Sequence, residues 1–155
     1  MDVYEKLREL GITLTPPQKP IAAFLQAKEF GDKLLYVSGT GPVFNPDGTP
    51  PYVGQVGGEL TLEEGYTAAR SAGIAILAIL HNTIGDLNRV KSIVKVLGLV
   101  NSAPGFFWQP GVMNGFSDLM AEVFGDAGRH ARSAMGTSSL PFNIPVEVEM
   151  LVELK

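Results

Sequence analysis

The nine residues before the terminal lysine constrain this chain most. Val146, Val148, Met150, Val152 and Leu154 alternate there with Glu147, Glu149, Leu151 and Glu153. A period of two puts the first set on one face of an extended segment and the second on the other, which predicts a strand with a buried face and a more polar one. Such a strand needs neighbours to pair with and a layer to cover its apolar side.

The preceding chain offers both. Val3, Leu7 and Leu10 at helical spacing, closed by Gly11, predict a short helix over 3–10, and Thr15-Pro16-Pro17 ends any continuation. Residues 21–30 and 34–40 are extended candidates joined by Gly31-Asp32-Lys33, a hairpin connection. Residues 41–58 are rich in Gly and Pro, contain the turn Asn45-Pro46-Asp47-Gly48, and read as a long loop with functional potential. Thr61 with Glu64 three residues on is a capping-box signature for a long helix over 62–82, stopped near Gly85. Its Ala, Gly and Ser content allows close approach to a sheet. Residues 90–100 are too apolar for a strand with one wet face and predict a central strand. Phe116, Leu119, Met120 and Val123 define a second helix over 113–124, and residues 132–140 and 146–154 are the last two strands.

The order strand, strand, helix, strand, helix, strand, strand is that of an α+β fold: a mixed sheet with both main helices on one face. With 155 residues, one compact domain over 1–155 is expected, residues 1–18 forming an N-terminal extension with the short helix. Only 18% of residues are charged and 45% are hydrophobic, so the uncovered sheet face is expected to be hidden by neighbouring subunits.

Arg132 and Glu147 are the candidates for chemistry, one on each of the last two extended segments. Arginine presents a planar set of donors that matches a carboxylate at two points, so an arginine anchored on a strand suggests a small acid as ligand, with a nearby glutamate to handle a proton or a water. The plain alternative is that Arg132 pairs with Glu147 or Glu149 across strands, and that Glu149 and Glu153 are charges on a solvated strand edge. The chain has no cysteine, which excludes disulfides and thiol chemistry. His81 and His130 lie far apart in sequence, His81 reads as a dipole partner at a helix end, and no metal site is supported. Ser38 has no nucleophile elbow around it, and Gly54, Gly57 and Gly58 lack the ending of a phosphate loop. A net charge of −4 argues against nucleic acid as the main partner. The longest apolar run, residues 75–80, is too short for a membrane span, and the early residues have no signal-peptide pattern, so a cytoplasmic location is expected.

Ala131-Arg132-Ser133, then Leu140-Pro141, then Val146-Glu147-Val148-Glu149 resemble the Rid (YjgF) family of reactive-intermediate deaminases, in a less characterised branch. Val37-Ser38-Gly39, Asn45-Pro46 and Met113-Asn114 extend the resemblance over residues 21–154. It implies a chorismate-mutase-like fold, a homotrimer, and three clefts between subunits. It also implies hydrolysis of enamines and imines, such as 2-aminoacrylate and other 2-imino acids, to 2-keto acids and ammonia with no cofactor. By similarity Arg132 clamps the substrate carboxylate and Glu147 positions or activates water, while backbone at Gly39 and Ala134, with Ser38 and Asn114, completes the cleft.

Two positions depart from the family pattern. Ala134 stands where a cysteine is common, and Phe24 where a tyrosine hydroxyl commonly lines the cleft. They keep open a second reading, a module that binds a small carboxylate without turning it over. A third, ribonuclease or translation-inhibitor activity, is opposed by the acidic balance and the lack of a paired acid and base. Phe106-Phe107-Trp108 reads first as packing at a subunit interface, and alternatively as a roof in which Trp108 selects larger or aromatic 2-imino acids.

Overall fold

The computed structural model describes residues 2–155; Met1 of the 1–18 extension lies outside the described residues. The chain opens with helix α1 (Val3–Glu9), whose N-terminus is capped by the Asp2 side chain accepting from the Tyr4 and Glu5 backbone N–H groups. Val3 and Leu7 are buried and join the main core. Strand β1 (Ala27–Phe30) and strand β2 (Leu34–Thr40) form the expected hairpin, with Gly31 and Lys33 both at positive φ in its turn.

The strand expected from residue 21 begins only at Ala27. The Phe24 N–H bonds the Ala22 carbonyl in a tight turn, and Ile21, Phe24 and Leu25 are all exposed, so neither a strand partner nor burial favours extension there.

Helix α2 (Leu62–Ile84) starts at the predicted capping box and ends at Gly85, whose φ of 78° suits glycine. Strand β3 (Val90–Asn101) follows a short 3₁₀ turn. Helix α3 (Gln109–Phe124) begins four residues before the expected Met113. Pro110 sits in its first turn, where a missing N–H costs nothing, so the proline starts this helix instead of preventing it. Strand β4 (Ala131–Thr137) and strand β5 (Val146–Leu154) complete the chain.

The sheet order is β1-β2-β5-β3-β4, antiparallel except for the parallel pair β3 and β4. Two sequence readings change with it. β4 stops at Thr137, not Leu140, because Thr137 pairs with Asn101, the last residue of β3, and no strand continues beside it. β5 is central, between β2 and β3, so Glu149 and Glu153 do not lie on a strand edge. They stand on the helix-free face, where Glu149 accepts the Tyr36 hydroxyl at 2.8 Å and Glu153 pairs with Lys91 at 2.8 Å.

Both long helices cover the other face. Their close approach depends on Gly115: a Cβ there would lie 2.0 Å from the Tyr66 backbone oxygen of α2. Phe116, Leu119, Met120, Ile76, Leu77 and Leu80 meet the inward side chains of β5 in one buried cluster. The open face carries exposed Tyr36, Val94 and Met135 among half-buried Leu97, Leu99 and Leu151. Beyond the sheet, buried Asn101 donates to the Asn143 side chain and the Ile144 carbonyl, fixing the turn that leads into β5.

Candidate functional site: two half-sites on opposite faces

Arg132 and Glu147 do not meet within one chain. β3 lies between their strands, pairing Arg132 with Val96 on one side and Glu147 with Leu99 on the other. Val96 faces the helices and Leu99 the open face, so the two functional candidates point to opposite sides of the sheet. This overturns the cross-strand pairing of Arg132 with Glu147 or Glu149. Among the described residues no carboxylate pairs with Arg132.

The Arg132 half is built by β4 and the first turns of α3. Arg132 Nη1 donates to Asn114 Oδ1 and Ser117 Oγ, both at 3.0 Å, and Nη2 makes a long contact of 3.5 Å with the Pro110 carbonyl. Pro110, Asn114 and Ser117 share one face of α3 through spacings of four and three. These acceptors are all neutral, and the two short contacts engage Nη1, leaving Nε without a protein acceptor among the described residues. The Nε and Nη2 edge keeps two N–H groups free of protein acceptors among the described residues, in the side-on arrangement that fits a carboxylate. The N-terminus of α3 has no side-chain cap; Pro110 has no N–H, and the Gly111 and Val112 N–H groups bond the Trp108 carbonyl. Ala134, two residues along β4, lies on the same face opposite Gly98. Trp108 is exposed just ahead of α3 and, with Asn114, Tyr66 and Asp118, lines a surface groove of about 520 Å³.

The Glu147 half lies on the open face where β5 meets β2. Glu147 folds over Gly39, and a Cβ at Gly39 would stand 3.0 Å from its carboxyl carbon. A register irregularity between Val37 and Thr40 turns this part of β2 against β5. Burial is the main cause that pushes the Glu147 carboxyl above its ordinary pKa, and the neighbouring Glu149 charge adds to it. Ser38 donates its hydroxyl to the Leu25 carbonyl at 2.6 Å, and its N–H bonds the Gln26 carbonyl, so it tethers the segment carrying Phe24. Ser38 therefore has a backbone-satisfying role in this chain. Phe24 itself is 54% exposed.

The structure sets Asn114, expected in the cleft by resemblance, against Arg132, and adds Ser117, which the sequence did not single out, and His130, which the sequence raised only as a metal ligand. Ser117 is three residues from Asn114 on a helix, a spacing that marks it as a neighbour. His81 sits in the last turn of α2 and its Nδ1 bonds the Tyr4 hydroxyl at 2.9 Å. Among the described residues no three His, Asp or Glu side chains converge as a metal ligand set, and no helix is long and apolar enough to cross a membrane.

A five-stranded mixed sheet with two long helices on one face is the architecture of the chorismate-mutase-like class. The chain belongs to the family described as "YjgF/chorismate mutase-like, putative endoribonuclease", whose profile matches residues 21–154. It is 42% identical over 153 residues to Protein TCP17 of Trypanosoma cruzi, covering 98% of this chain and 94% of that one. A crystal structure of a protein of unknown function from Agrobacterium tumefaciens superposes with a TM-score of 0.90 at 38% identity, covering 99% of this chain and 92% of the other. A Shewanella oneidensis protein given the same endoribonuclease description superposes at TM-score 0.93 and 30% identity, covering 99% and 100%.

Proposed function

We propose that this protein hydrolyses enamines and imines of small 2-imino acids, 2-aminoacrylate-like compounds among them, to 2-keto acids and ammonia, in the cytoplasm and without a metal or organic cofactor. The observation that carries the reading is Arg132, a guanidinium oriented by three neutral acceptors with its carboxylate-binding edge left open. The two half-sites join between subunits of a homotrimer, Arg132 of one copy facing Glu147 of the next in each of three clefts. Support comes from the exposed apolar residues of the open face, which need cover, and from the separation of the two halves within a chain.

In this mechanism the substrate carboxylate docks on the Nε and Nη2 edge of Arg132. Starting from the protonated imine, Glu147 as carboxylate takes a proton from water as the water oxygen bonds to the imine carbon and the C=N π pair moves to nitrogen, forming a neutral carbinolamine. The raised pKa lets Glu147 hold that proton and pass it to the amino group; as the C–N bond breaks and the C=O forms, Glu147 takes up the hydroxyl proton, ammonia leaves, and the carboxyl then loses that proton to solvent. An imine carbon is already electrophilic, so orientation and one proton relay suffice. Ala134 contributes backbone alone, and Phe24 and Trp108 shape the side-chain end of the cleft.

The test is to generate 2-imino acids with an amino-acid oxidase and follow semicarbazone trapping with wild type, Arg132→Ala and Glu147→Gln. Wild type accelerates imine loss and both variants do not. Equal rates for wild type and Arg132→Ala defeat the deaminase reading. A keto acid that still stabilises such a protein supports the second reading, carboxylate binding without turnover, which the Ala134 and Phe24 departures favour. Incubation of the same preparation with RNA tests the description its relatives carry.

A further inference from the structure

The Ser117 hydroxyl that accepts from Arg132 is itself 3.0 Å from His130 Nε2, and His130 Nδ1 is 2.7 Å from the Gly128 carbonyl. A carbonyl only accepts, so Nδ1 carries the ring proton and Nε2 is left as an acceptor in the neutral ring. Ser117 must then donate to Nε2, which turns its lone pairs toward Arg132. Every link runs one way, from the guanidinium through the hydroxyl and the imidazole to the backbone.

The far end of this chain is fixed. A Cβ on Gly128 would lie 2.0 Å from the Met120 carbonyl oxygen, so the 3₁₀ turn after α3 packs directly on that helix and holds its own carbonyl in place. The Phe116 ring meets His130 edge-on, with centroids 6.1 Å apart. Neither residue touches the half of Arg132 that faces the cleft.

We infer that Ser117 and His130 are positioning residues that set the rotation of the Arg132 guanidinium and so keep its carboxylate edge aimed into the cleft. The inference deepens the proposed function and rests on its assignment of Arg132 as the carboxylate clamp. It predicts an effect on substrate capture more than on the chemical step. It also predicts a pH dependence. A second proton on the ring turns Nε2 into a donor, so Ser117 can no longer donate to it, and places a second positive charge next to Arg132. Among the groups facing the ring from β4, α3 and the 3₁₀ turn, Arg132 is the charged one. Arg129 and Asp126, beside the turn, pair with each other at 3.5 Å at the surface. Burial, as the main cause, and Arg132 both favour the neutral ring, while the Gly128 hydrogen bond opposes them.

The test pairs kinetics with nuclear magnetic resonance of the Arg132 Nε–H group, assigned as the signal lost in Arg132→Ala. Ser117→Ala and His130→Phe are expected to raise KM for a 2-imino acid by about tenfold, the weight of one charge-assisted hydrogen bond, with kcat within about twofold. Ser117→Thr, which keeps the hydroxyl, is expected to restore KM. In wild type KM rises as pH falls through the His130 titration, and this rise is absent in His130→Phe. The Nε–H signal broadens in Ser117→Ala and stays sharp in Ser117→Thr. An unchanged Nε–H signal in both Ser117→Ala and His130→Phe overturns the inference, as does a fall in kcat with KM unaltered. Because the resonance reads the guanidinium directly, it decides the inference even where Arg132→Ala leaves imine loss unchanged and the deaminase reading itself fails.

Discussion

Replacing Gly39 by alanine moves Glu147 without altering its charge. The added Cβ would sit 3.0 Å from the Glu147 carboxyl carbon and 3.3 Å from both its Cγ and one carboxyl oxygen. All three close contacts are with this one side chain. Gly39 is not among the positive-φ glycines, so alanine is conformationally permitted and the whole effect is one of space. Relief requires the Glu147 side chain to give by a few tenths of an ångström, a partial departure from its rotamer minimum that costs no more than about 0.5–1.5 kcal/mol. For a chain of this size that corresponds to a Tm loss of no more than about 5 °C. The catalytic effect is comparable in free energy, because displacing a reacting group by about 1 Å costs on the order of 100-fold and a shift of a few tenths of an ångström roughly 3- to 10-fold. Imine trapping should therefore show kcat/KM falling by roughly 3- to 10-fold in a protein that is still folded. A double-mutant cycle then isolates the cause: in a Glu147→Gln background, Gly39→Ala should remove little further activity. Wild-type kcat/KM in Gly39→Ala, or losses that simply add, would refute the reasoning.

Gly115→Ala should destabilise far more, since its Cβ meets backbone of α2 at 2.0 Å and neither helix can yield locally. A loss of at least about 2–3 kcal/mol is expected, read as a Tm fall of about 5–10 °C by calorimetry. The raised pKa of Glu147 means that its protonated form favours the folded state. That contribution is complete below the ordinary glutamate pKa and is lost as pH rises through the raised one. Glu147→Gln should accordingly be more stable than wild type at pH 8, with the difference vanishing near pH 4, in a thermal-melt series.

Much of the fold was legible because its signals are local. The alternation of residues 146–154, the Thr61 and Glu64 capping box and the Gly31-Asp32-Lys33 turn each specify an element through its own residues. The expected start of α3 at Met113 is four residues late because the periodic apolar positions begin there, and the first turn, with Pro110 in it, carries no periodic signal. The segment from Ile21 has strand-forming side chains but no strand to pair with, which no local pattern reveals. The site was legible as a set of residue types but not as an arrangement. That Arg132 and Glu147 face opposite ways follows from β5 inserting between β2 and β3, a property of topology and not of the sequence around either residue. The link between Ser117 and His130 is not legible because it depends on a hydrogen bond between a helix and the residue before β4.

The central claim, that each site takes Arg132 from one copy and Glu147 from another, is tested most directly by mixing two inactive variants. Arg132→Ala and Glu147→Gln chains are unfolded together, refolded at equal amounts and assayed for imine hydrolysis. Random assembly into trimers leaves about one site in four with an intact Arg132 from one chain and an intact Glu147 from the next. The account predicts recovery to about a quarter of wild-type activity per site. Activity no greater than that of the separately refolded variants would contradict it.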